Sequence, residues 1–307
     1  MFVLEVIPRW ATALSLAFAL LAGACQREPA PTSAVPASGA MAAFPVRAED
    51  DLGGSVVVPA PPRRIVCLLP SFTETVFALG AGDQVVGVDD YSDYPPATQH
   101  LPKLGGLYDT QIERALSLEP DLVLVSEANA ARASLASGGA AVWAGSPHRF
   151  EDVYRIIELT GKLLGRKREA DALVTRMRAE IAAVEASVRS LPPVSVYYEL
   201  DPTPYTVGPS SFIGVLLTKA GGVNIVPAAL GDFPKINPEL VLSSNPAVII
   251  GASLEDIAHR PGWSELTAVK TRRVYQWASA EAHLLSRPGP RLPEGLRALA
   301  QRLHPRP

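Results

Sequence analysis

Ala170, Leu173, Val174, Met177, Ile181, Val184 and Val188 follow one another at spacings of 3, 1, 3, 4, 3 and 4 residues. That is one apolar stripe of an amphipathic helix. Gly165 precedes the segment and Pro192-Pro193 stops it, so the pattern predicts one helix from Arg166 to Leu191. At 1.5 Å per residue such a helix is about 35–40 Å long, the width of a small domain. Apolar runs of a different kind lie on either side of it. "DLVLV" and "AVII" are short, continuous and bounded by breakers, which predicts buried strands, and "RIVCLL" and "VSVYYEL" read as strands that lead into helices.

Two of these runs sit inside a repeated phrase. "IERALSLEPDLVLV" (112–125) is echoed 126 residues later by "PELVLSSNPAVII" (238–250), with Glu113 on Glu239, Leu116 on Leu242, Ser117 on Ser243 and Pro120 on Pro246. Thr110-x-x-Glu113 reads as a capping box, and Asn237-Pro238-Glu239 as an N-cap followed by a first-turn proline and an acid. Upstream, "PSFTETVFALGAGDQVVGV" is matched by "PSSFIGVLLTKAGGVNIV" with a one-residue slip. Two copies of strand–helix–strand–helix–strand predict two similar α/β lobes with largely parallel sheets, joined by one long rigid helix. The expected boundaries are 44–164 for the first lobe, 165–191 for the helix and 192–307 for the second lobe.

Open parallel sheets bind ligands beyond the carboxyl ends of their strands, and two lobes would face two such edges across one cleft. In the first lobe those ends carry Pro70, Ser71 and Phe72, then Tyr91 to Tyr94, Ser126, Glu127 and Trp143. In the second they carry Tyr205, Phe212 and Trp277, with His283 and Arg287 beyond. Several aromatic rings at strand ends suit a flat, partly apolar ligand.

Composition narrows the function classes. Net charge is −3 and the 28 basic residues form no patch, which argues against nucleic acid or an anionic membrane as the main partner. Arg9 precedes "WATALSLAFALLAGAC", an apolar run of signal-peptide length that ends in small residues before Cys25. This looks like a bacterial lipoprotein signal over residues 1–24, with Cys25 as the lipidated residue. The alternative is a secretory signal with an incidental cysteine. The stretch 25–43 is rich in Pro, Ala and Ser without a period, the composition of a flexible tether. The expected location is therefore periplasmic or at the cell surface, with the membrane met through a lipid anchor only. Cys67, the only other cysteine, reads as a small buried hydrophobe in a strand.

Catalytic signatures are missing from the sequence. It has no HExxH, CxxC, Walker loop or GxSxG elbow, and its five histidines show no ligand spacing. The expectation is a binding protein with no catalytic cofactor and no resident metal. A surface α/β enzyme with a dispersed triad is the competing class.

"RIVCLLPSFTETVFALGAGDQVVGVDDYSDYPP", "LGGLYDTQIERALSLEPDLVLV" and "NPELVLSSNPAVII" together resemble the class III substrate-binding proteins of ABC importers. The resemblance runs from about Val46 to Leu303, with Asp50 to Val66 matching the family's N-terminal hairpin and first strand. Within the family "YSDYPP" is most similar to the cobalamin (vitamin B12) binders. The resemblance implies that Tyr91 packs on a corrin ring, that Tyr108 lies nearby, and that Arg287 approaches the ligand. It also implies that Glu113 and Glu239 dock on an ABC permease dimer, which carries its own ATPase subunits. Two positions depart from the pattern: His283 replaces an acid and Glu127 a tryptophan. Haem is the alternative ligand, with Tyr91 or His283 as its axial group, and ferric siderophores belong to the same transporter class.

Overall fold

The computed structural model describes residues 44–277 and 279–305. The expected signal segment, Cys25 and the tether lie outside the described residues. The first feature is a hairpin in which β1 (Val46–Glu49) pairs antiparallel with β2 (Ser55–Val58). Its turn is closed by Asp50, whose Oδ1 accepts the N–H groups of Leu52 and Gly54 at 3.0 and 2.6 Å. The hairpin thus begins before Asp50, the start expected from the sequence. Val46 and Ala48 point inward while Arg47 and Glu49 face solvent, an alternation only four residues long.

The N-terminal lobe then runs β3 (Ile65–Cys67), α1 (Pro70–Ala78), β4 (Val85–Val88), α2 (Ile112–Ser117) and β5 (Leu122–Val125). It continues through α3 (Arg132–Ser137), β6 (Ala141–Ala144) and α4 (Asp152–Leu163). Its strands are parallel in the order β4-β3-β5-β6. After α5 (Lys167–Val188), the C-terminal lobe runs β7 (Val194–Asp201), β8 (Tyr205–Thr206), α6 (Phe212–Lys219), β9 (Gly222–Asn224), α7 (Pro238–Ser244) and β10 (Val248–Ile250). It ends with α8 (Leu254–Ala258), α9 (Thr267–Lys270), β11 (Val274–Tyr275), α10 (Ser279–Ser286) and α11 (Leu292–Leu303). Its parallel strands lie in the order β9-β7-β10-β11, with β8 antiparallel on β7. Laid element on element, the two orders are the same. The repeated phrase in the sequence is a repeated topology.

Each sheet is buried on both faces, and successive residues of a strand feed different cores. Ile65, Cys67, Leu122 and Leu124 point to one side, Val66, Val123 and Val125 to the other. In the second lobe Val196, Tyr198, Val248 and Ile250 point one way and Tyr197 and Ile249 the other. The outer faces are covered separately, by α2 and α3 in one lobe and by α7, α8 and α9 in the other. The inner faces meet in one shared core. Helix α5 runs through it, and all seven residues of the apolar stripe are buried there. The helix stops at Val188, three residues short of the expected end, where Leu191 N–H turns back onto the Val188 carbonyl ahead of Pro192.

The two helix starts differ. Asn237 caps α7 as expected, its Oδ1 accepting Glu239 N–H at 3.0 Å, with Pro238 in the first turn. The capping box expected at Thr110 does not form. Its hydroxyl donates to the Gly106 carbonyl at 2.8 Å and accepts from Asn129 Nδ2 at 3.1 Å, so Gln111 takes the N-cap without a side-chain bond. The preceding loop has claimed the threonine.

Candidate functional site

The loop after β4 presents Tyr91, and its shape is set by Asp89. Asp89 Oδ1 accepts Tyr91 N–H at 2.8 Å, and Oδ2 accepts the Ser92 hydroxyl at 2.5 Å. Burial raises the pKa of Asp89, and these hydrogen bonds oppose the rise. Lys103 Nζ ties the loop down by donating to the Ser92 carbonyl at 2.5 Å. The Tyr91 ring, 68% exposed, lies beside Gly106, where an added methyl would sit 3.1 Å from the ring edge. Gly105 before it has φ of +84°, and a side chain there would strike the Asp109 carbonyl. Tyr108, on the same loop, is 86% exposed.

The other lobe offers apolar surface at the matching strand ends. Segments 204–208 and 232–236 are zipped together by Thr206 N–H to the Pro234 carbonyl at 3.1 Å, Gly208 N–H to Asp232 at 2.8 Å and Ile236 N–H to Pro204 at 3.2 Å. The approach is so close that a methyl on Gly208 would collide with the Gly231 carbonyl. This pair of segments displays Tyr205 and Phe233 to solvent, with Leu200 exposed at the end of β7. Phe233 was not singled out from the sequence. The usable signal was a large apolar residue between Gly231 and Pro234, in a loop too broken to enter a core.

The lobes touch through a cluster of charges. Arg287, 9% exposed, donates to Glu74 Oε1 at 3.2 Å, to Asp93 Oδ1 at 2.6 Å and to the Tyr91 carbonyl at 3.0 Å. Arg291 grips the same Glu74 with two bonds of 2.9 and 2.6 Å and stacks on the Tyr94 ring at 3.9 Å. His283 Nδ1 lies 3.4 Å from Asp93 Oδ2. Burial works to raise the Asp93 pKa, but the Arg287 hydrogen bond and charge outweigh it and hold the carboxyl below its usual range. Burial and the Arg287 charge push His283 below the usual imidazole range against the opposing pull of Asp93. Gly289 lies over Ser71 of the first lobe, where a methyl would sit 3.6 Å from Ser71 Cα.

Not every residue expected at the ligand is available to one. Trp143 and Phe72 are 0% and 1% exposed and pack edge to face at 5.6 Å, with Trp143 Nε1 donating to the Glu49 carbonyl. Both are core residues and not the expected ligand contacts, because β6 turns Trp143 toward the shared core. Ser71 is buried, and Pro70 is half-buried in the first turn of α1. Phe212 is half-buried and stacks on Phe150 of the first lobe, with ring centroids 6.0 Å apart. Trp277 is half-buried at the end of β11 with Arg302 5.7 Å from its ring, and its indole N–H has no partner among the described residues. Glu127 pairs with His148 at 3.2 Å. Tyr91, Asp93, His283 and Arg287 are brought together; Glu113 and Glu239 stand apart, exposed on α2 and α7.

Comparison with known proteins gives this geometry a setting. The family model described as "Periplasmic binding protein" matches residues 65–281. A Bacillus subtilis protein named uncharacterized ABC transporter substrate-binding lipoprotein YvrC is 32% identical over 310 residues, covering 96% of each chain. A cobalamin-binding protein of Halobacterium salinarum is 29% identical, over 95% of this chain and 83% of its own. Among solved structures, the apo form of the periplasmic heme-binding protein RhuT from Roseiflexus superposes with a TM-score of 0.69 at 28% identity, over 79% of this chain and 98% of that one. Other relatives are described as binding vitamin B12 or, in one case, possibly iron. These are non-catalytic receptors, and the two repeated lobes on a connecting helix are their architecture. This chain belongs to the periplasmic binding protein family, as an extracytoplasmic substrate-binding protein of the class that serves ABC importers.

Proposed function

We propose that this protein captures a corrinoid, cobalamin or a close relative, between the strand ends of its two lobes and delivers it to an ABC permease. The observation that carries the reading is Tyr91. Its ring is held open to solvent by the Asp89 turn and the Gly106 platform, at the carboxyl end of β4 and inside "YSDYPP". Tyr205 and Phe233 supply exposed rings at the corresponding edge of the second lobe. A flat macrocycle with a largely apolar face suits such surfaces.

Tyr91→Ala is expected to weaken cyanocobalamin binding about tenfold to a hundredfold, the 1–3 kcal/mol that a lost stacked ring is worth. Calorimetry on the folded variant checks it, and an unchanged affinity removes Tyr91 from the site. Haem is the second reading, favoured by the exposed Tyr91 phenol and by His283 as candidate axial groups. Visible spectra after separate incubation with cyanocobalamin, cobinamide and haemin distinguish the two.

Glu113 and Glu239 are proposed as the permease-docking acids, and Cys25 as the site of lipid attachment. Mass spectrometry of the protein from its native membrane should find Cys25 as an acylated N-terminal residue. An unmodified N-terminus beyond Cys25 would overturn the anchor.

A further inference from the structure

We infer that Asp93 sets the charge selectivity of the cleft: by engaging Arg287 and His283 across the lobes, it biases the site toward neutral or cationic rings and against rings that carry carboxylates. The inference rests on the corrinoid reading only for the identity of the preferred ring.

The lobe-to-lobe contact is balanced in charge. Arg287 and Arg291 bring two positive charges; Glu74 and Asp93 bring two negative ones, and the sum is zero. Glu74 is sealed beneath the two guanidiniums, its side chain 2% exposed, whereas the Asp93 side chain is 55% exposed. The outermost member of the cluster is therefore an anion. Burial and the neighbouring Arg287 disfavour the charged form of His283 and hold its pKa below the usual imidazole range.

The surroundings reinforce this. Asp90 and Asp109, both exposed, flank Tyr91 and accept the N–H groups of Gly105 and Gly106. Lys103, the nearby cation, spends its ammonium group on the Ser92 and Asp89 carbonyls. Arg149, beyond β6, and Lys235, beside Tyr205, are cations on other loops. A ligand carboxylate arriving beside Tyr91 thus meets Asp93 in front of Arg287, while Arg291 is turned onto the buried Glu74. An amide-bearing or cationic ring meets acceptors. Rejection by a placed like charge is a recognised source of specificity.

The test is Asp93→Asn, which keeps an acceptor for Arg287 and removes the negative charge, leaving the four-residue cluster at a net charge of about +1. The probes are haemin, which is anionic, cyanocobalamin, which is neutral, and diaquacobinamide, which is cationic. Affinity for haemin should rise about two- to fivefold and affinity for cobinamide should fall by a similar factor, as expected for one partly exposed charge. Cyanocobalamin should change by less than about twofold, and both shifts should shrink as salt is added. Asp93→Glu, which restores the charge, should restore the wild-type order. Haemin and cobinamide moving in the same direction, or neither moving, would overturn the assignment. Wild-type protein that binds no corrinoid, with haemin still responding to Asp93→Asn, would end the corrinoid reading and leave the role of Asp93 standing.

Discussion

Glu74→Ala is expected to cost about 3–5 kcal/mol of folding stability, the usual penalty for removing one partner of a buried ion pair. Glu74 lies on α1 among the apolar residues of the shared core, and its carboxylate accepts three hydrogen bonds from two arginines. The side chains of Arg287 and Arg291 are only 9% and 15% exposed. Without Glu74 they keep one half-exposed acid, Asp93, one backbone carbonyl and the face of Tyr94. Urea unfolding of the variant measures the loss. A cost below about 1 kcal/mol would mean that the guanidiniums rehydrate freely and that the cluster holds nothing. The network as a whole adds little net stability compared with well-packed apolar residues, since burying three of its four charges is itself expensive. Its effect is registration: it fixes the loop after β4 against the loop before α11.

The double variant Glu113→Arg with Glu239→Arg should leave soluble ligand affinity nearly unchanged and abolish delivery to the permease. The two acids occupy the first turns of α2 and α7, both exposed, in lobes whose strand orders coincide. A symmetric dimeric permease would present the same surface twice, so each lobe would need the same acid once. Their helix-end contribution is small, about 0.3–1 kcal/mol each. For Glu113 the capping-box explanation also fails, since Thr110 is bonded elsewhere. Uptake assays in cells, beside calorimetry on the purified variant, separate the two roles. Full uptake would reduce both glutamates to helix-terminal acids.

The elements that local pattern fixes were legible before the structure. The stripe from Ala170 to Val188 reads as a helix because its period is sustained over five turns, and β5 and β10 read as buried because no polar residue interrupts them. The repeated phrase carried the topology of both lobes. Contacts between distant segments left no such trace. Glu74 and Arg291 are 217 residues apart, and neither is unusual among its neighbours. Trp143 reads from the sequence as a ligand contact because it is an aromatic near a strand end. Its side of the sheet, set by the alternation along β6, decides otherwise. Tyr91 and Phe233 differ from it in following their strands, where no sheet face can claim them.

The shared core around α5 makes the two lobes a single cooperative unit. Leu173, Val174 and Met177 join side chains of α1 and α4 in the same cluster that holds Val196, Leu216 and Leu299 of the second lobe. Neither half can be cut away without stripping one side of that helix, so a separately expressed lobe would expose the stripe and aggregate. Unfolding should accordingly appear as one calorimetric transition, not two. A ligand held by either lobe would then raise the melting temperature of the whole molecule. Thermal shift is therefore a sound first screen for the cargo of this receptor, whichever rings hold it.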